Sequence, residues 1–381
     1  MTSMPAEAGS GQIADGLTGD RVAVVGTGLM GTSVALAAVR AGARVRAWDA
    51  AAENLAAAAR NDGVDAADDL ATAVDGAEVV FVGTPIDAIP AVVTEALAAT
   101  TDAVISDAGS IKTHIVTETG TLAGDRGLVM DRFVPGHPMG GSERSGPAHA
   151  SASVVDGIVW AVTPTVFSGE PSIRRLERFI EAVGSRPVRL SPERHDRLVA
   201  MVSHLPQVAS TALMSLAAAE EADEPDILLL AAGGFRDLTR LAASNPRLWS
   251  EILLANRDEV VRAIDLYTER LLRLREAVGD GLGDEVERIF DEAKGARLGL
   301  AAKPQVRAGV AVLQVLIPDR PGALAALTGG MADAGLNIED LQIVHSPEGG
   351  RGLVHLTVSA DAADAAVALL ARHGLDPLRL A

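Results

Sequence analysis

The feature that most constrains the fold is a glycine-rich turn near the N-terminus, G-T-G-L-M-G at residues 26–31. An apolar run, Arg21–Val25, precedes it, and an alanine-rich segment of helical character leads through Gly42 to a second apolar run that ends at Asp49. Strand, glycine turn, helix and strand form the context in which this glycine spacing binds a dinucleotide, with the pyrophosphate at the helix N-terminus. The sequence therefore predicts a βαβ unit that binds a dinucleotide.

Each glycine of this turn has its own role. Gly26 allows the tight turn, Gly28 lets the backbone approach the pyrophosphate, and Gly31 lets the helix pack closely against the strand. Residues beside the turn and at the end of a later strand complete the site. The predicted cofactor-binding residues are Gly26, Gly28, Leu29, Met30, Gly31, Asp49, Thr84 and Pro85.

Asp49 bears on which dinucleotide is bound. An acid at the end of the second strand accepts hydrogen bonds from ribose hydroxyls and repels a ribose phosphate, which favours NAD over NADP. The alternative is a solvent-exposed acid without a ligand. Because Arg44 and Arg46 are close in sequence, the preference for NAD need not be strict.

Helices and strands continue to alternate up to about residue 190, which is typical of an α/β fold with a doubly wound sheet. We therefore expect a Rossmann-type NAD-binding domain over residues 19–190, after a disordered tail at residues 1–18. The predicted helices lie at 51–60 and 87–99, and the predicted strands at 77–85, 102–109, 153–162 and 186–190.

Two further domains follow. Residues 191–303 show helical periodicity nearly throughout and predict an all-helical domain, with a connector at 295–305. Residues 308–381 have the order βαββαβ, a ferredoxin-like arrangement.

Composition limits the possible functions. The chain has 381 residues, 48% of them hydrophobic, so two or three domains with sizeable cores are expected. The absence of cysteine excludes disulfides, thiolate metal sites and thiol chemistry, and it suits a reducing cytoplasm. The net charge of −18 argues against binding to nucleic acid or to an anionic membrane. We expect a cytoplasmic protein without a metal, a signal peptide or a membrane span.

A second unusual segment is V-P-G-H-P-M-G-G-S-E-R-S-G-P at residues 134–147, which is too rich in glycine and proline for a helix and too broken for a strand. Pro138 biases His137 towards an extended backbone that projects the ring out of the loop. From these residues alone, a structural loop histidine and a catalytic histidine are both possible.

Five motifs, taken together in their order along the chain, resemble those of a known enzyme family. After the glycine turn come D-A-G-S-I-K (107–112), H-P-M-G-G-S-E (137–143), S-H-L-P (203–206) and G-G-F-R-D-L-T-R (233–240). Together they resemble the prephenate and arogenate dehydrogenases of tyrosine biosynthesis over roughly residues 20–300. The C-terminal unit, with its I-P-D-R-P-G turn and G-L-N-I, resembles an ACT domain, a module that binds amino acids.

The resemblance implies NAD-dependent oxidative decarboxylation of prephenate to 4-hydroxyphenylpyruvate. His137 would accept the proton of the 4-hydroxyl group as the hydride leaves for NAD, a role that suits a side chain with an ordinary pKa near 6.5. Ser110 matches the family serine near the same hydroxyl and the nicotinamide, although it could also cap a helix.

The resemblance also implies a set of substrate-binding residues. Arg240 matches the arginine that binds a substrate carboxylate, for which a planar guanidinium is well suited; the alternative is a surface pair with Asp237. Many relatives that use prephenate have S-H-L-P-H, whereas this chain has Gln207 in the last position, which leaves prephenate and arogenate open. The implied substrate-binding residues are Glu143, Ser203, His204, Gln207, Arg240 and Trp249.

Other interpretations remain. Arogenate dehydrogenase activity would give tyrosine directly, and a non-catalytic amino-acid sensor would use only the ACT-like domain. The ACT resemblance implies feedback control, with tyrosine as the expected effector, at Asp319, Gly322 and Asn337. We also expect a homodimer, formed through apolar faces of the helical domain; a tetramer is the alternative.

Overall fold

The computed structural model describes residues 16–140, 146–302, 310–318, 320–338, 340–345 and 351–380. The chain forms two compact units. One consists of Met1–Ala212 with Leu241–Tyr267, and the other of Leu213–Arg240 with Thr268–Ala381.

The first unit is built on a parallel five-stranded sheet with the strand order β3-β2-β1-β4-β5. Neighbouring residues of β1 and β4 face two separate cores, because helices cover both faces of the sheet. The strand order confirms the doubly wound fold. The elements are β1 (Arg21–Val25), α1 (Leu29–Arg40), β2 (Arg44–Trp48), α2 (Ala52–Ala58), β3 (Val64–Ala66), α3 (Leu70–Val74), β4 (Val79–Val82), α4 (Ile89–Ala99), β5 (Val104–Asp107) and α5 (Thr113–Asp125).

A smaller sheet contains the segment around His137. Its order is β6-β7-β8, with β6 antiparallel to β7 and β7 parallel to β8. The loop expected around His137 is therefore wrong at its centre, because His137 pairs with Ala161 in a short strand. Pro138 is tolerated there because β6 lies at the sheet edge. The elements are β6 (Gly136–Pro138), β7 (Val159–Val162), α6 (Glu170–Ala182) and β8 (Arg186–Arg189).

The predicted N-terminal tail is too long. It was expected to end at residue 18, but Leu17 is 1% exposed and belongs to the sheet's core. Its backbone N–H donates to the carbonyl of Ala41 at 3.1 Å. Burial of one leucine side chain gives this short segment a fixed position; residues 1–15 lie outside the described part of the chain.

The segment after β8 is helical, as the sequence predicts. The break expected at Pro206 is a π-helical turn, Ala200–His204, that joins two helices into one continuous helical run, Pro192–Glu220. The connector expected from residue 295 is helical as far as Ala302. The helices are α7 (Pro192–Val199), α8 (Leu205–Glu220), α9 (Gly233–Thr239), α10 (Pro246–Ala255), α11 (Arg257–Gly279) and α12 (Gly283–Ala302).

The run Pro192–Glu220, 29 residues with a mean hydropathy of 1.2, would be long and apolar enough to cross a membrane by length and composition alone. Its first half carries His195, Asp196 and His204, all buried within the first unit. Within its most apolar window 28% of the residues are buried, and one helix of this kind does not by itself indicate a membrane span.

The C-terminal part of the second unit is a four-stranded antiparallel sheet with the order β10-β11-β9-β12. Side chains of both helices join one apolar core with the strands. The arrangement confirms the ferredoxin-like prediction. The elements are β9 (Val310–Pro318), α13 (Ala323–Asp333), β10 (Asp340–His345), β11 (Arg351–Ser359), α14 (Ala363–Arg372) and β12 (Leu378–Leu380).

Candidate active site

The glycine turn between β1 and α1 has the shape that a dinucleotide needs. Gly26 has φ +92°, and a Cβ atom there would lie 2.7 Å from the backbone of Gly83 and Thr84. A Cβ at Gly31 would lie 1.8 Å from the carbonyl oxygen of Gly26. A Cβ at Gly28, by contrast, meets none of the described atoms within 4 Å. Two glycines are thus required by packing, while Gly28 leaves open space at the start of α1.

The polar groups around this space fit a nucleotide ligand. The N-terminus of α1 begins at Gly28 and carries no side-chain cap, so its N–H groups can bind phosphate. Among the described residues, the hydroxyls of Thr84 and Ser110 are buried without a hydrogen-bond partner. Leu29 and Met30 form the first turn of α1, and Pro85 follows Thr84 at the end of β4. The residues present therefore fit the predicted cofactor.

Asp49 connects the end of β2 to the glycine turn. Its carboxylate accepts hydrogen bonds from the N–H of Thr27 at 2.6 Å and from the N–H of Ala51 at 2.8 Å. Both bonds fix the carboxylate at the edge of the dinucleotide turn. The guanidinium of Arg46 donates to the carbonyl of Thr72 at 3.3 Å, so Arg46 has a partner of its own.

A buried ion pair lies under the histidine strand. Lys112 Nζ pairs with Asp107, and both side chains are fully buried. Lys112 also donates to the carbonyl of Gly136 at 2.6 Å, and Asp107 accepts from the N–H of Gly136 at 3.2 Å. Burial lowers the pKa of Lys112, with the charge of Asp107 acting in the opposite direction. The pair therefore joins the end of β5 to the residue before His137.

His137 contacts a second histidine. Its Nδ1 lies 2.9 Å from Nε2 of His195, and the rings meet edge to face. Burial lowers the pKa of His137 well below 6.5, and the positive charges that His195, Lys112 and His204 can carry act in the same direction. His137 is thus neutral near pH 7, the state that a general base requires.

Asp196 anchors this pair of histidines. Its Oδ1 lies 2.8 Å from Nδ1 of His195, and its carboxylate accepts from the N–H groups of Lys112 and Thr113 at 2.8 and 2.7 Å. Burial alone would raise the pKa of Asp196, but the hydrogen bonds from His195 and Thr113 hold it below its ordinary value. Asp196 therefore caps α5 from another helix, and the capping role considered for Ser110 is not seen.

His204 and Trp249 lie on the same side of the first unit. The two rings meet edge to face at 6.1 Å, and Trp249 packs against the apolar core under β4 and β5. His204 Nδ1 lies 3.3 Å from Nδ2 of Asn256. Burial lowers the pKa of His204 to about 4, against the attraction of Asp196. Ser203 is half-buried in the adjoining π-helical turn.

Gln207 is 5% exposed and its amide group has internal partners. Nε2 donates to the carbonyl of Leu241 at 2.8 Å and lies 3.4 Å from Oγ1 of Thr211, while Oε1 accepts from Ser244 at 3.4 Å. The side chain expected to contact the substrate thus holds the turn that follows Arg240.

The remaining predicted residues fall outside this cluster. Arg240 is exposed at the C-terminal end of α9, and it belongs to the second compact unit. Glu143 and Asp319 lie outside the described residues. Gly322 has φ +87° before α13, and Asn337 lines an open groove of about 360 Å³ beside that helix. The substrate and effector roles of these residues stay predictions.

Sequence reasoning missed His195, Asp196 and Asn256. The available signal was S-P-E-R-H-D at 191–196, in which Ser191 and Pro192 mark a helix start and place two polar residues in its first turns. That signal shows where the residues lie on α7 and does not show that the helix faces β6.

Three family models match the chain. The nucleotide-binding domain of prephenate dehydrogenase matches residues 34–189, the dimerization domain of prephenate dehydrogenase matches 191–292, and the ACT domain matches 311–375.

Relatives agree with these matches. Prephenate dehydrogenase of Bacillus subtilis is 29% identical over 349 residues, which cover 90% of this chain and 93% of that protein. Cyclohexadienyl dehydrogenase of Zymomonas mobilis is 32% identical over 291 residues, which cover 75% of this chain and 98% of that protein.

Solved structures resemble most of the chain. Prephenate dehydrogenase from Aquifex aeolicus, in complex with hydroxyphenyl propionate and NAD+, has a TM-score of 0.69 at 28% identity, over 74% of this chain and 99% of that chain. Arogenate dehydrogenase from Synechocystis has a TM-score of 0.64 at 26% identity, over 73% of this chain and 98% of that chain. The chain therefore belongs to the prephenate dehydrogenase family and has an ACT domain at its C-terminus.

Proposed function

We propose that this protein catalyses the NAD-dependent oxidative decarboxylation of prephenate to 4-hydroxyphenylpyruvate. The observation that carries the proposal is the position of His137 in the middle of β6, with Nδ1 2.9 Å from Nε2 of His195 and with the preceding residue, Gly136, bound by the Lys112–Asp107 pair. The fit of the glycine turn to a dinucleotide and the prephenate dehydrogenase relatives support it.

When bound, NAD supplies the acceptor for the hydride that leaves ring C4. His137 accepts the proton of the 4-hydroxyl group, because a neutral imidazole has one nitrogen with a free lone pair. The ring carboxylate then leaves as carbon dioxide and the ring becomes aromatic. Ser110, whose buried hydroxyl has no partner among the described residues, is proposed to hydrogen-bond the same hydroxyl group or the nicotinamide.

Arg240 is proposed to bind a carboxylate of the substrate. Prephenate is a dianion, and a chain with a net charge of −18 needs local cations to bind it. A guanidinium offers two parallel N–H donors to a carboxylate. Arg240→Gln should therefore raise KM strongly, whereas an unchanged KM would favour the surface role.

Arogenate is the second candidate substrate. The chain has Gln207 where many prephenate-using relatives have histidine, and an arogenate dehydrogenase is among the similar structures. Arogenate carries an amino-acid side chain where prephenate carries a pyruvyl group. A spectrophotometric assay that crosses both substrates with NAD and NADP decides between them.

His137→Asn provides the test of the mechanism. We expect the variant to bind NAD normally and to lose turnover by about 10²–10⁴-fold, the range that a general base contributes. Full turnover in the variant would refute the role of His137. Absence of NADH formation by the wild-type protein with either substrate would favour the non-catalytic amino-acid sensor.

The ACT domain is proposed to bind tyrosine as a feedback effector, at the turn that contains Gly322 and beside Asn337. A homodimer is proposed as well, because α11 exposes Val261, Leu271 and Leu272 and a dimerization-domain model matches this region. Inhibition by tyrosine, a tyrosine-dependent rise in Tm and the mass in solution test these two proposals.

A further inference from the structure

We propose that His195 and Asp196 fix His137 in the tautomer with its proton on Nδ1, and so leave Nε2 as the atom that accepts the substrate's proton. The proposal rests on the proposed role of His137 as the base. His195 and Asp196 are positioning residues in this account, since they act through His137.

The first step concerns Asp196. An ionised carboxylate only accepts hydrogen bonds. The carboxylate of Asp196 already accepts hydrogen bonds from the backbone N–H groups of Lys112 and Thr113 at the start of α5. Those donors, together with the positive end of a 13-residue helix, stabilise the charged form. The nitrogen that faces Asp196 at 2.8 Å, Nδ1 of His195, must therefore carry a proton.

The second step passes from His195 to His137. A neutral His195 with a proton on Nδ1 has only a lone pair on Nε2. The atom 2.9 Å away, Nδ1 of His137, must then be the donor. A neutral His137 with its proton on Nδ1 has a free lone pair on Nε2. The direction of each hydrogen bond thus follows from the charge on Asp196 together with a neutral His195.

The competing arrangement is a doubly protonated His195. Both of its nitrogens would donate, so Nδ1 of His137 would accept, and Nε2 would carry a proton and could not act as a base. His195 is 1% exposed, Lys112 brings a cation to the same region, and His204 lies on the same helical run. The two arrangements differ in the proton on Nε2 of His137, so the protonation of that atom distinguishes them.

The position of Asp196 is fixed by its main chain as well. Nδ2 of Asn256, at the start of α11, donates to the carbonyl of Asp196 at 2.9 Å. The first turn of α5, the helix α7 and the start of α11 therefore meet at one residue. A support that is tied to three helices restricts the imidazole to the geometry that proton transfer requires.

The direct test is ¹⁵N NMR of the full-length protein labelled at histidine, at pH 7.5 and without ligands. The His137 signals are assigned by their loss in His137→Asn. We expect Nδ1 of His137 to show a protonated, pyrrole-type shift and Nε2 an unprotonated, pyridine-type shift. The opposite pattern would overturn the proposal, and this readout does not depend on activity.

Kinetics of two variants provide the second test. His195→Phe keeps an aromatic ring but removes the acceptor, and we expect kcat to fall about 10²-fold or more with KM nearly unchanged. His195→Gln offers an amide oxygen to His137 and an amide N–H to Asp196, so it should recover part of that loss. His355→Gln, in the strand β11 of the C-terminal domain, is the matched control with wild-type turnover.

These results separate the two proposals. Wild-type kcat in a folded His195→Phe variant would refute the positioning role and leave His137 as a base untouched. A second outcome would also contradict it. In that outcome His137 has its wild-type tautomer in the NMR spectrum of His195→Gln, and yet this variant is no more active than His195→Phe. If the wild-type protein oxidises neither substrate, the proposed function fails, and the tautomer measurement still decides the hydrogen-bond directions.

Discussion

Lys112 Nζ forms an ion pair with Asp107 from which solvent is fully excluded, and it donates to the carbonyl of Gly136 at 2.6 Å. Residue 107 ends the last strand of the parallel sheet, and residue 136 begins the strand of His137. The pair therefore sets where the histidine strand begins relative to the main sheet. The sequence alone does not show this ion pair, because the pair forms only when the chain folds.

We predict that Lys112→Met lowers the free energy of unfolding by about 3–5 kcal/mol, the cost of leaving a buried charge unpaired. Asp107 would still accept hydrogen bonds from the N–H groups of Gly109 and Gly136, but it would lose its only cationic partner among the described residues. Urea unfolding at pH 7.5 measures the change. Arg174→Gln, which breaks an exposed pair with Glu170, is the control and should lower the free energy of unfolding far less, because solvent screens that pair. Similar losses in the two variants would contradict this account.

Buried His204 predicts a dependence of stability on pH. Its pKa is about 4 in the folded protein and about 6.5 in the unfolded chain. Between these pH values the unfolded chain binds more protons than the folded protein does. The free energy of unfolding is therefore highest above pH 6.5 and falls as the pH is lowered towards 4. The difference between the two pKa values of His204 corresponds to about 3 kcal/mol in the free energy of unfolding.

Urea unfolding of wild type and His204→Gln between pH 4.5 and 7.5 tests this dependence. The variant should be less stable at pH 7.5, because it loses packing against Trp249, and its stability should fall less steeply with acid. His355→Gln controls for the removal of one imidazole. Parallel curves for wild type and His204→Gln would mean that His204 does not titrate in this range.

The glycine turn gives a matched pair of variants. Gly28→Ala places a methyl group in open space, so we expect an unchanged Tm and weaker NAD binding. Gly31→Ala places a methyl group 1.8 Å from the carbonyl of Gly26, so we expect a loss of about 1–3 kcal/mol from overpacking. Differential scanning fluorimetry and NAD titration measure both properties. Normal NAD binding by Gly28→Ala would refute the position assigned to the pyrophosphate.

Sequence patterns predicted the parts of the fold that carry strong local signals. The glycine turn lies between a continuous apolar strand and a long helix, and the ferredoxin-like domain has long strands. β3 and α3 were not foreseen, because a strand of three residues at a sheet edge and a helix of five residues are too short to show periodicity. β6 was not foreseen, because glycine and proline flank His137 and its partner strand is 21 residues further along the chain at Val159.

The candidate site shows the same division. His137, Ser110 and the glycines follow from motifs, because each motif is contiguous in sequence. The contacts that control His137 are long-range: His195 is separated from it by 58 residues, and Asp196 reaches the start of α5 across 84 residues. Which face of α7 turns towards β6 depends on the packing of whole helices, which a local pattern does not contain.

Gln207 provides the last prediction, because its observed bonds differ from its expected role. Its Nε2 donates to the carbonyl of Leu241, the residue after Arg240. Gln207→Glu keeps the shape, removes that donor and places carboxylate oxygen against carbonyl oxygen. We expect a loss of about 1–3 kcal/mol in stability, the cost of an unsatisfied buried group, and a displaced turn beside Arg240.

Kinetics with both substrates separate the two roles of Gln207. If the amide only holds the turn, Gln207→Glu raises KM for prephenate and arogenate by the same factor. If the amide contacts the side-chain end of the substrate, the new carboxylate attracts the ammonium group of arogenate and repels the pyruvyl carboxylate, so the ratio of kcat/KM shifts towards arogenate. Ser244→Ala, which removes only the weaker bond to Oε1 at 3.4 Å, is the matched control with a small and equal effect on both substrates. From the bonds observed, we expect the ratio to remain unchanged.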